Sequence, residues 1–232
     1  MDISKPKIHF DNIGNAHSTE YSDIFHSMAG AMDQSNHVFI HANQLMQRWA
    51  RSDLTILETG FGLGTNFLNV WRHWDQTPHN HSLHMISIEK HPLSHEDLMQ
   101  AHQAHSYWSP YLNKLLEQYP GQVAGIFNLA WPKENIQLTL IHGDVLDGLN
   151  YLSTAQIHVD VVFLDGFSPA KNPEMWSLEV FLKVKDLCHK DTSLSTWAVS
   201  GVVKNNLRAA GFQVKKVPGF AMKREMLLAS IT

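Results

Sequence analysis

The chain has 232 residues, 44% of them hydrophobic and 17% charged, with a formal net charge of −4 at pH 7. This length suits one α/β domain with a sizeable core, or at most two small ones, and the charge argues against a uniformly basic nucleic-acid binder. No apolar run approaches the roughly 20 residues that span a bilayer, and the start lacks the apolar segment of a signal peptide. The single Cys188 excludes an internal disulfide framework, so we expect a cytoplasmic protein without membrane contact.

The charge is unevenly distributed along the chain. Residues 201–232 hold six basic side chains and one acidic one, a local charge of +5 that leaves −9 on residues 1–200. A C-terminal segment with this charge could place its basic side chains on one face of the protein and contact phosphates there. Ordinary solvated lysines beside the last strands are an equally good explanation of the charge alone.

Residues 1–52 are predicted to form a small β-rich extension that leads into a helix. Short apolar pieces, including Val38–Ile40, alternate with polar turns up to about residue 41. Ala42–Ala50 then has a helical pattern. We expect this helix to pack before the first strand of the main sheet.

The most informative stretch is Leu54–Asn66, with the sequence LTILETGFGLGTN. An apolar run ends at the acid Glu58, three glycines spaced as GxGxG follow, and helical periodicity resumes over Asn66–Trp74. Glycines let the backbone approach a ligand closely, and the first amides of the next helix point toward it. The acid-x-GxGxG pattern differs from the dinucleotide pattern GxGxxG and resembles the first motif of class I S-adenosylmethionine (SAM) methyltransferases. A glycine turn in an unrelated α/β protein is the alternative interpretation.

Two further acids are predicted at the same edge of the sheet. Leu83–Lys90 is an apolar run that ends at Glu89, where two carboxylate oxygens suit the two hydroxyls of a ribose. An exposed strand-end glutamate is the alternative. The next strand begins at Ile136 and ends at Asp144, which suits either an adenine amino group or the N-cap of a helix over Val145–Leu152. These two roles of the aspartate are compatible with each other.

Residues 91–136 are predicted to form a helical insertion between the second and third strands. They are too many for a plain crossover, and we expect helices near Leu93–Ala104 and Tyr107–Gln118, followed by a looser segment, GQVAGIFNLAWPKEN. Histidines crowd this region and the residues before it: His79, His81, His84, His91, His95, His102 and His105. No HExxH or CxxC pattern accompanies them, so we interpret them as surface and edge residues and predict no metal site.

The fourth strand is predicted over Val159–Leu164 and places Asp165 at the carboxyl edge of the sheet. The sequence after it is GFSPAKNPEMW, in which two prolines and a glycine fix a rigid loop beside the glycine turn. An acid stands at the base of this loop and aromatic residues surround it. We interpret the loop as part of a substrate pocket.

The rest of the chain predicts a helix, a strand, a helix and two strands: Ser177–His189, Ser193–Val199, Val202–Ala210, Phe212–Val217 and Arg224–Ser230. The short turn Pro218–Lys223 predicts a hairpin, which makes the last strand antiparallel. The predicted fold class is therefore α/β, with a seven-stranded, mostly parallel, Rossmann-like sheet flanked by helices, as in class I SAM methyltransferases. One domain is expected to span residues 1–232.

Five segments together resemble one methyltransferase family: ETGFGLGTNF, ISIEKHPL, LDGFSPAKNPEMW, RAAGF and KREML, in this order and spacing. The family is the methyltransferase domain of the bacterial tRNA 5-methylaminomethyl-2-thiouridine biosynthesis proteins, the MnmC family. The resemblance covers nearly the whole chain, including Tyr21–Phe25 and VFIHANQL near the start. It implies SAM-dependent methylation of the primary amine of 5-aminomethyl(-2-thio)uridine at the wobble position of tRNA.

The resemblance also implies a role for each matching residue. SAM would be held by Glu58, Gly60, Phe61, Gly62, Gly64, Asn66, Glu89, Lys90, Asp144 and Asp165. The nucleoside and its tRNA would be held by Phe167, Pro169, Lys171, Asn172, Trp176, Lys223 and Arg224. Phe167 or Trp176 would stack on the wobble base, although Trp176 equally suits a core position in its helix. Asp165 is the predicted catalytic residue, because it can orient the amine and accept or relay its proton.

Two partners follow from the resemblance: the anticodon stem-loop of tRNA, and a FAD-dependent oxidoreductase, fused or separate, that acts on the same nucleoside. The chain departs from the family pattern at His41 and Ala42, where the family has a glycine pair, and at Lys190–Thr192, where it has glycines. These departures concern the mouth of the pocket.

Three other functions fit parts of the pattern. A spermidine-synthase-like aminopropyltransferase would need an acidic pocket for a polycation, whereas the loop after the fourth strand carries Lys171. Another small-amine methyltransferase would use the same fold and cofactor. A SAM-fold RNA-binding protein without turnover would be marked by broken motif acids, and all of these acids are present.

Overall fold

The computed structural model describes residues 2–25, 30–103 and 109–231. The predicted N-terminal extension is a three-stranded antiparallel sheet followed by helical turns. Its elements are β1 (Ile8–Phe10), β2 (Ala16–Ser18), β3 (Asp23–Ile24), α1 (Ala31–Ser35), a π-helical turn (Asn36–His41) and α2 (Leu45–Trp49). The prediction that Val38–Ile40 forms an extended piece was wrong, since these residues lie in the π-helical turn. All three are buried, and a short buried run looks alike in a strand and a helix.

The centre of the fold is an eight-stranded sheet. Its strands are β4 (Leu54–Glu58), β5 (Leu83–Glu89), β6 (Gly125–Trp131), β7 (Ile136–His142), β8 (Val159–Phe163), β9 (Cys188–Thr196), β10 (Gln213–Pro218) and β11 (Glu225–Ser230). They lie in the order β10-β11-β9-β8-β4-β5-β7-β6. β9, β8, β4, β5 and β7 are parallel neighbours, whereas β11 and β6 are antiparallel to the strands beside them. The carboxyl ends of five parallel strands therefore meet at one edge.

All seven predicted strands are present, and the last one is antiparallel as expected. The eighth strand, β6, was missed and corrects the prediction of a loose segment there. It pairs with β7 from Gly125↔His142 to Trp131↔Ile136. Leu129 and Trp131 are buried while Asn128 and Ala130 are exposed, so the segment has the alternation of a half-buried edge strand.

Helices cover both faces of this sheet. They are α3 (Thr65–Gln76), α4 (His95–His102), α5 (Ser109–Leu116), α6 (Val145–Thr154), α7 (Leu178–Asp186) and α8 (Gly201–Ala209), with a 3₁₀ turn at Pro173–Trp176. Both helices of the predicted insertion are present as α4 and α5, although residues 104–108 of those predictions lie outside the described residues. Within the described ranges, no helix is long and apolar enough to cross a membrane.

Arg48 ties the extension to the main sheet. Its guanidinium donates hydrogen bonds to Ser193 Oγ (2.9 Å), the Asp160 carbonyl (3.0 Å) and the Asp191 carbonyl (3.1 Å). These contacts join α2 to β8 and β9. The extension is thereby fixed against the sheet and can supply part of a wall at its carboxyl edge.

Candidate active site

A cavity of about 370 Å³ opens at the carboxyl edge of the parallel strands. Its walls come from the glycine turn after β4, the ends of β5, β7 and β8, and the N-terminal extension. Open α/β sheets bind their ligands at this edge. The predicted site residues that line the cavity are Gly60, Phe61, Gly62, Asn66, Glu89, Lys90, Asp144, Asp165, Phe167, Asn172 and Lys223.

The glycine turn passes close to the end of β8. A Cβ atom at Gly60 would lie 3.3 Å from the backbone oxygen of Asp165. Gly62 and Gly64 have φ angles of 51° and 71°, in the left-handed region that favours glycine. Thr59 Oγ1 donates a hydrogen bond of 2.7 Å to the same Asp165 oxygen. The glycine spacing therefore lets two loops meet and form one wall of the cavity.

Asn66 connects two acids at the base of the cavity. Its Nδ2 group donates to Glu58 Oε1 (2.8 Å) and to Asp165 Oδ2 (2.9 Å). Glu58 is only 1% exposed, accepts a further bond of 2.6 Å from Ser87 Oγ, and has a pKa raised well above its ordinary value by burial. Glu58 is not among the residues that line the cavity, and its predicted contact with the cofactor stays a prediction. It fixes Asn66 from behind.

The Asp165 carboxylate is desolvated and held by three donors. Oδ1 accepts from the Gly166 amide (2.9 Å) and from Trp197 Nε1 (2.9 Å), and Oδ2 accepts from Asn66 Nδ2 (2.9 Å). Burial raises the pKa of Asp165, and these three hydrogen bonds and the charge of Lys223 oppose the rise. A carboxylate offers about four acceptor positions, so one remains on Oδ2. The group is oriented and can still accept one proton or hydrogen bond.

Glu89 lies at the end of β5 and organises the backbone around it. Oε2 accepts from the Gly62 amide (2.8 Å), and Oε1 accepts from the His91 amide (2.7 Å). Each oxygen retains one acceptor position that suits a hydroxyl group. The predicted location beside the glycine turn is therefore confirmed, and the remaining acceptors match a diol such as a ribose.

Asp144 has both of the features predicted for it. Its Oδ1 accepts from the Leu146 amide (3.0 Å), which caps α6, while the residue also lines the cavity. Its Oδ2 accepts from Lys90 Nζ at 3.0 Å. This hydrogen bond raises the pKa of Lys90. The pair joins the ends of β5 and β7 on the side of the cavity away from Asp165.

The N-terminal extension supplies a wall of the cavity that was not predicted from the sequence. Tyr21 and Phe167 stack with ring centroids 4.5 Å apart, and Phe25 meets Phe167 edge-on at 5.1 Å. The Tyr21 hydroxyl lies 2.8 Å from His91 Nε2, and burial raises the pKa of Tyr21 to about 12. Asp23 Oδ2 accepts from the Ser168 amide at 2.9 Å. These aromatic residues enclose the loop after β8.

Several predicted substrate residues lie away from the cavity. Pro169, Lys171 and Arg224 do not line it. Lys171 Nζ donates to the Ser22 carbonyl and lies 3.5 Å from Asp23 Oδ1, so it attaches the loop to the extension. Arg224 is exposed on the hairpin of β10 and β11. Gly64 also lies outside the cavity lining and shapes the glycine turn.

Trp176 is a core residue, which corrects its predicted role in base stacking. It is 1% exposed, its Nε1 donates to the Phe167 carbonyl (2.9 Å), and its own carbonyl accepts from Asn206 Nδ2 (3.0 Å). A side chain so deeply buried has no face free for a nucleobase. Its packing fixes the loop after β8 against α8.

Replacing Trp176 by alanine is expected to lower the free energy of unfolding by about 3–5 kcal/mol, because a buried ring and its hydrogen bond are lost. The Trp176→Phe variant keeps most of the ring and is expected to lose less. Urea denaturation of both variants checks this order. A stable Trp176→Ala protein with weakened substrate binding would restore the stacking role.

Two of the histidines singled out in the sequence have hydrogen-bonding partners in the fold. His102 Nε2 lies 2.8 Å from the Leu63 carbonyl, and His84 Nε2 lies 2.9 Å from Thr139 Oγ1. His105 lies outside the described residues. Over residues 2–25, 30–103 and 109–231, no three His, Cys, Asp or Glu side chains are arranged to hold a metal ion.

Comparison with known proteins places this geometry in a family. A family model described as S-adenosyl-L-methionine-dependent methyltransferase matches residues 107–232. The chain belongs to this methyltransferase family. The SAM cofactor and the class I methyltransferase fold predicted from the sequence are thereby confirmed.

The methyltransferase is similar over nearly its whole length to proteins named tRNA 5-methylaminomethyl-2-thiouridine biosynthesis bifunctional protein MnmC. The one from Azoarcus sp. (strain BH72) is 41% identical over 98% of this chain and 36% of that protein. The one from Methylobacillus flagellatus is 42% identical over 94% of this chain and 34% of that protein. The chain therefore spans about a third of the length of these curated relatives. The resemblance to the MnmC family is confirmed.

A solved structure agrees with the fold of the methyltransferase. The crystal structure of MNMC2 from Aquifex aeolicus matches it with a TM-score of 0.75 at 25% identity, over 99% of this chain and 71% of that chain. The match includes the N-terminal extension, since almost the whole chain is covered.

The cavity residues of the methyltransferase fit its cofactor. The free acceptor positions of Glu89 suit the ribose hydroxyls, and the side-chain oxygens of Asp144 lie on the same side as Glu89 at the end of the neighbouring strand. Gly60 has no side chain and lies close to the Asp165 backbone, so backbone atoms form the cavity wall at this point. The acceptors of Glu89 and Asp144 therefore suit a ligand with a diol and a neighbouring amino group, as in an adenosine.

Proposed function

We propose that this methyltransferase methylates the primary amine of 5-aminomethyl(-2-thio)uridine at the tRNA wobble position and yields the 5-methylaminomethyl product. The observation that carries the proposal is Asp165, a desolvated carboxylate with one free acceptor position at the end of the cavity nearest the glycine turn. An acceptor of this kind suits an amine that must be oriented and deprotonated. The similarity to proteins whose names state this modification supports the choice of nucleoside.

The reaction requires little covalent chemistry from the protein. When bound, SAM supplies an electrophilic methyl group on a sulfonium, which leaves as a neutral thioether. The protein has to hold the amine in line and without its extra proton, because an alkylammonium has no lone pair. Asp165 accepts a hydrogen bond from the amine and takes up the proton that the nitrogen releases. Asn66 and Trp197 keep the carboxylate in place during this transfer.

Phe167 and Asn172 are the proposed nucleoside contacts. Both line the cavity, and the Phe167 ring is already stacked against Tyr21 and Phe25. An apolar ring beside amide groups suits a uracil base, which needs a flat surface and a few hydrogen bonds. Tyr21 and Phe25 would act through Phe167 by fixing its orientation.

The basic residues near the C-terminus are the proposed contact for tRNA phosphates, although they do not share one face. Lys215 and Lys216 are successive residues of β10 and point to opposite faces of the sheet. Lys215, Lys216 and Arg224 are all exposed, but Lys216 pairs with Glu225. We therefore assign the phosphate contacts to Lys215 and Arg224. Lys223 lies in the cavity and has a different environment.

Neutralising Lys215 and Arg224 together by glutamine is expected to weaken the salt dependence of tRNA methylation. The slope of log(kcat/KM) against log[salt] should become shallower by about 1–2. Each phosphate contact that is removed means that about one fewer counterion is released when tRNA binds. The measurement is a series of methylation rates at increasing potassium chloride. The matched control replaces Lys133 and Lys190, which are exposed toward the opposite edge of the sheet, and should keep the wild-type slope. Equal slopes in all three proteins would remove the phosphate contacts.

One assay distinguishes tRNA from spermidine and other small amines as the substrate. Lys223 lines the cavity beside Asp165, which disfavours the polycation that an aminopropyltransferase must bind. Purified protein with labelled SAM is offered either spermidine and other small amines or tRNA from cells that accumulate the aminomethyl intermediate. Label in tRNA alone supports the proposal. Label in small amines, or SAM binding without any transfer, would support the small-amine or the non-enzymatic function.

The primary amine must be produced by another reaction. We propose a FAD-dependent oxidoreductase that removes a carboxymethyl group from the precursor nucleoside, in the same chain or as a separate protein. The names of the relatives call them bifunctional, and this chain spans about a third of their length. We further propose that the enzyme works on the tRNA anticodon stem-loop in the cytoplasm.

A further inference from the structure

Lys223 occupies an unusual position for a lysine of a surface hairpin. Although the residue as a whole is exposed, its Nζ lies 3.6 Å from the centroid of the Trp197 ring and lines the cavity. The same Trp197 side chain donates its Nε1 hydrogen to Asp165 Oδ1 at 2.9 Å. The indole ring of Trp197 therefore contacts both the Lys223 ammonium, through its face, and the Asp165 carboxylate, through its N–H group.

The turn that carries Lys223 is closely held. The Lys223 amide donates to the Phe220 carbonyl (3.0 Å), and the Gly219 amide donates to the Arg224 carbonyl (3.1 Å). A Cβ atom at Gly219 would lie only 2.3 Å from the Lys223 backbone oxygen. His37 Nε2 lies 2.9 Å from the Pro218 carbonyl, which fastens the turn to the π-helical turn. Lys223 is thereby directed at the cavity by its backbone.

An aromatic face beside a carboxylate is the arrangement that binds an alkylammonium ion. Here the chain's own lysine lies in that arrangement. A protonated substrate amine that reaches Asp165 would meet a second positive charge nearby, whereas a neutral amine would not. A positive charge at Lys223 therefore lowers the pKa of an amine bound at Asp165 and opposes the effect of the carboxylate, which raises it.

The charged groups around Lys223 come from several elements. Asp165 at the end of β8 and Asp23 of β3 attract its charge, while burial lowers the pKa of Lys223. Glu58 of β4 lies behind Asn66, and burial raises its pKa well above the ordinary value, so the neutral acid is favoured there. Lys171 pairs with Asp23 and partly neutralises it. The other titratable side chains that line the cavity are Tyr21, Glu89, Lys90, His91, Asp144 and Glu174.

We propose that Lys223 is a positioning residue that holds the substrate amine in its neutral form at Asp165. This inference rests on the proposed methylation of a primary amine. The lone pair of the neutral amine forms the new bond to the methyl carbon, the bond from that carbon to sulfur breaks, and its electron pair stays on sulfur. The positive charge passes to nitrogen, and the proton that nitrogen then releases passes to Asp165. Lys223 makes no bond in this sequence and acts through its charge.

The test is the pH dependence of a single turnover, with enzyme in excess, saturating SAM and tRNA that carries the aminomethyl nucleoside. Lys223→Met is expected to shift the acid limb of the rate profile upward by about 1–2 pH units, because removing a positive charge raises the pKa of both the substrate ammonium and Asp165. At pH 6.5 this shift corresponds to a rate about 10–100-fold lower, and above pH 9 the rates converge. Lys223→Arg keeps the charge and should keep the wild-type limb, as should Lys133→Met.

One result would overturn the proposal: an unchanged acid limb in Lys223→Met. Tighter tRNA binding in that same variant would then show that the lysine competes with the substrate. SAM titration checks that each variant is folded, and Lys223→Gln replaces the methionine variant if that one does not fold. A wild-type enzyme that methylates no tRNA at any pH would count against the proposed function, and profiles measured with 5-aminomethyluridine nucleoside would then decide the role of Lys223.

Discussion

Replacing Asp165 by asparagine is expected to lower the turnover of methyl transfer about 100- to 10,000-fold while SAM binding stays within about threefold of wild type. The substitution retains the shape of the side chain and one oxygen for the Gly166 amide and Trp197 Nε1. It replaces Oδ2, which accepts from Asn66 Nδ2 and keeps one acceptor position for the amine, by an NH₂ group. The loss is therefore expected in the chemical step rather than in the binding of the cofactor.

The measurement combines single-turnover rates with calorimetric titration of SAM. Asp186→Asn is the matched control, because Asp186 is exposed at the end of α7 and lies far from the carboxyl edge of the sheet. It should behave as wild type in both assays. An Asp165→Asn enzyme that kept more than a third of wild-type turnover with normal SAM affinity would show that Asp165 does not handle the proton.

Replacing Glu89 by glutamine is expected to weaken SAM binding about 30- to 100-fold, which corresponds to ~2–3 kcal/mol. Two backbone amides, of Gly62 and His91, now donate to separate oxygens of Glu89. A glutamine has only one oxygen, so one amide would face an NH₂ group. The charge that strengthens hydrogen bonds to ribose hydroxyls would be lost as well.

Calorimetry with SAM and with S-adenosylhomocysteine measures the effect of Glu89→Gln directly. Both ligands carry the ribose, so both should lose affinity to a similar extent. Glu96→Gln changes an exposed glutamate in the first turn of α4 and should leave both affinities unchanged. Affinities within twofold of wild type in Glu89→Gln would place the ribose elsewhere in the cavity.

The residues that the sequence predicted best are those whose position follows from a strand end. Glu89, Asp144 and Asp165 each terminate an apolar run, and parallel strands bring such residues to one edge. The glycine turn was predictable for a similar reason, since its spacing reflects a close backbone approach. Local pattern and the rules of parallel sheets were sufficient for this half of the site.

The other half depends on contacts between distant parts of the chain. Tyr21 reaches Phe167, and Lys223 reaches Trp197 and Asp165, through packing that no local pattern encodes. Trp176 was ambiguous because a tryptophan after a loop suits either a pocket or a core, and only burial separates these roles. The missed strand β6 did carry an alternating pattern, but it lies in a long insertion where helices were expected.

The measurement that tests the account most directly is the identity of the methylated nucleoside. Purified protein and labelled SAM are incubated with tRNA from cells that accumulate the aminomethyl intermediate, and the digested nucleosides are separated and identified by mass spectrometry. We expect label in 5-methylaminomethyl(-2-thio)uridine, and none in tRNA whose wobble uridine lacks the aminomethyl group. Label in a different nucleoside, or equal label in both tRNA preparations, would contradict it.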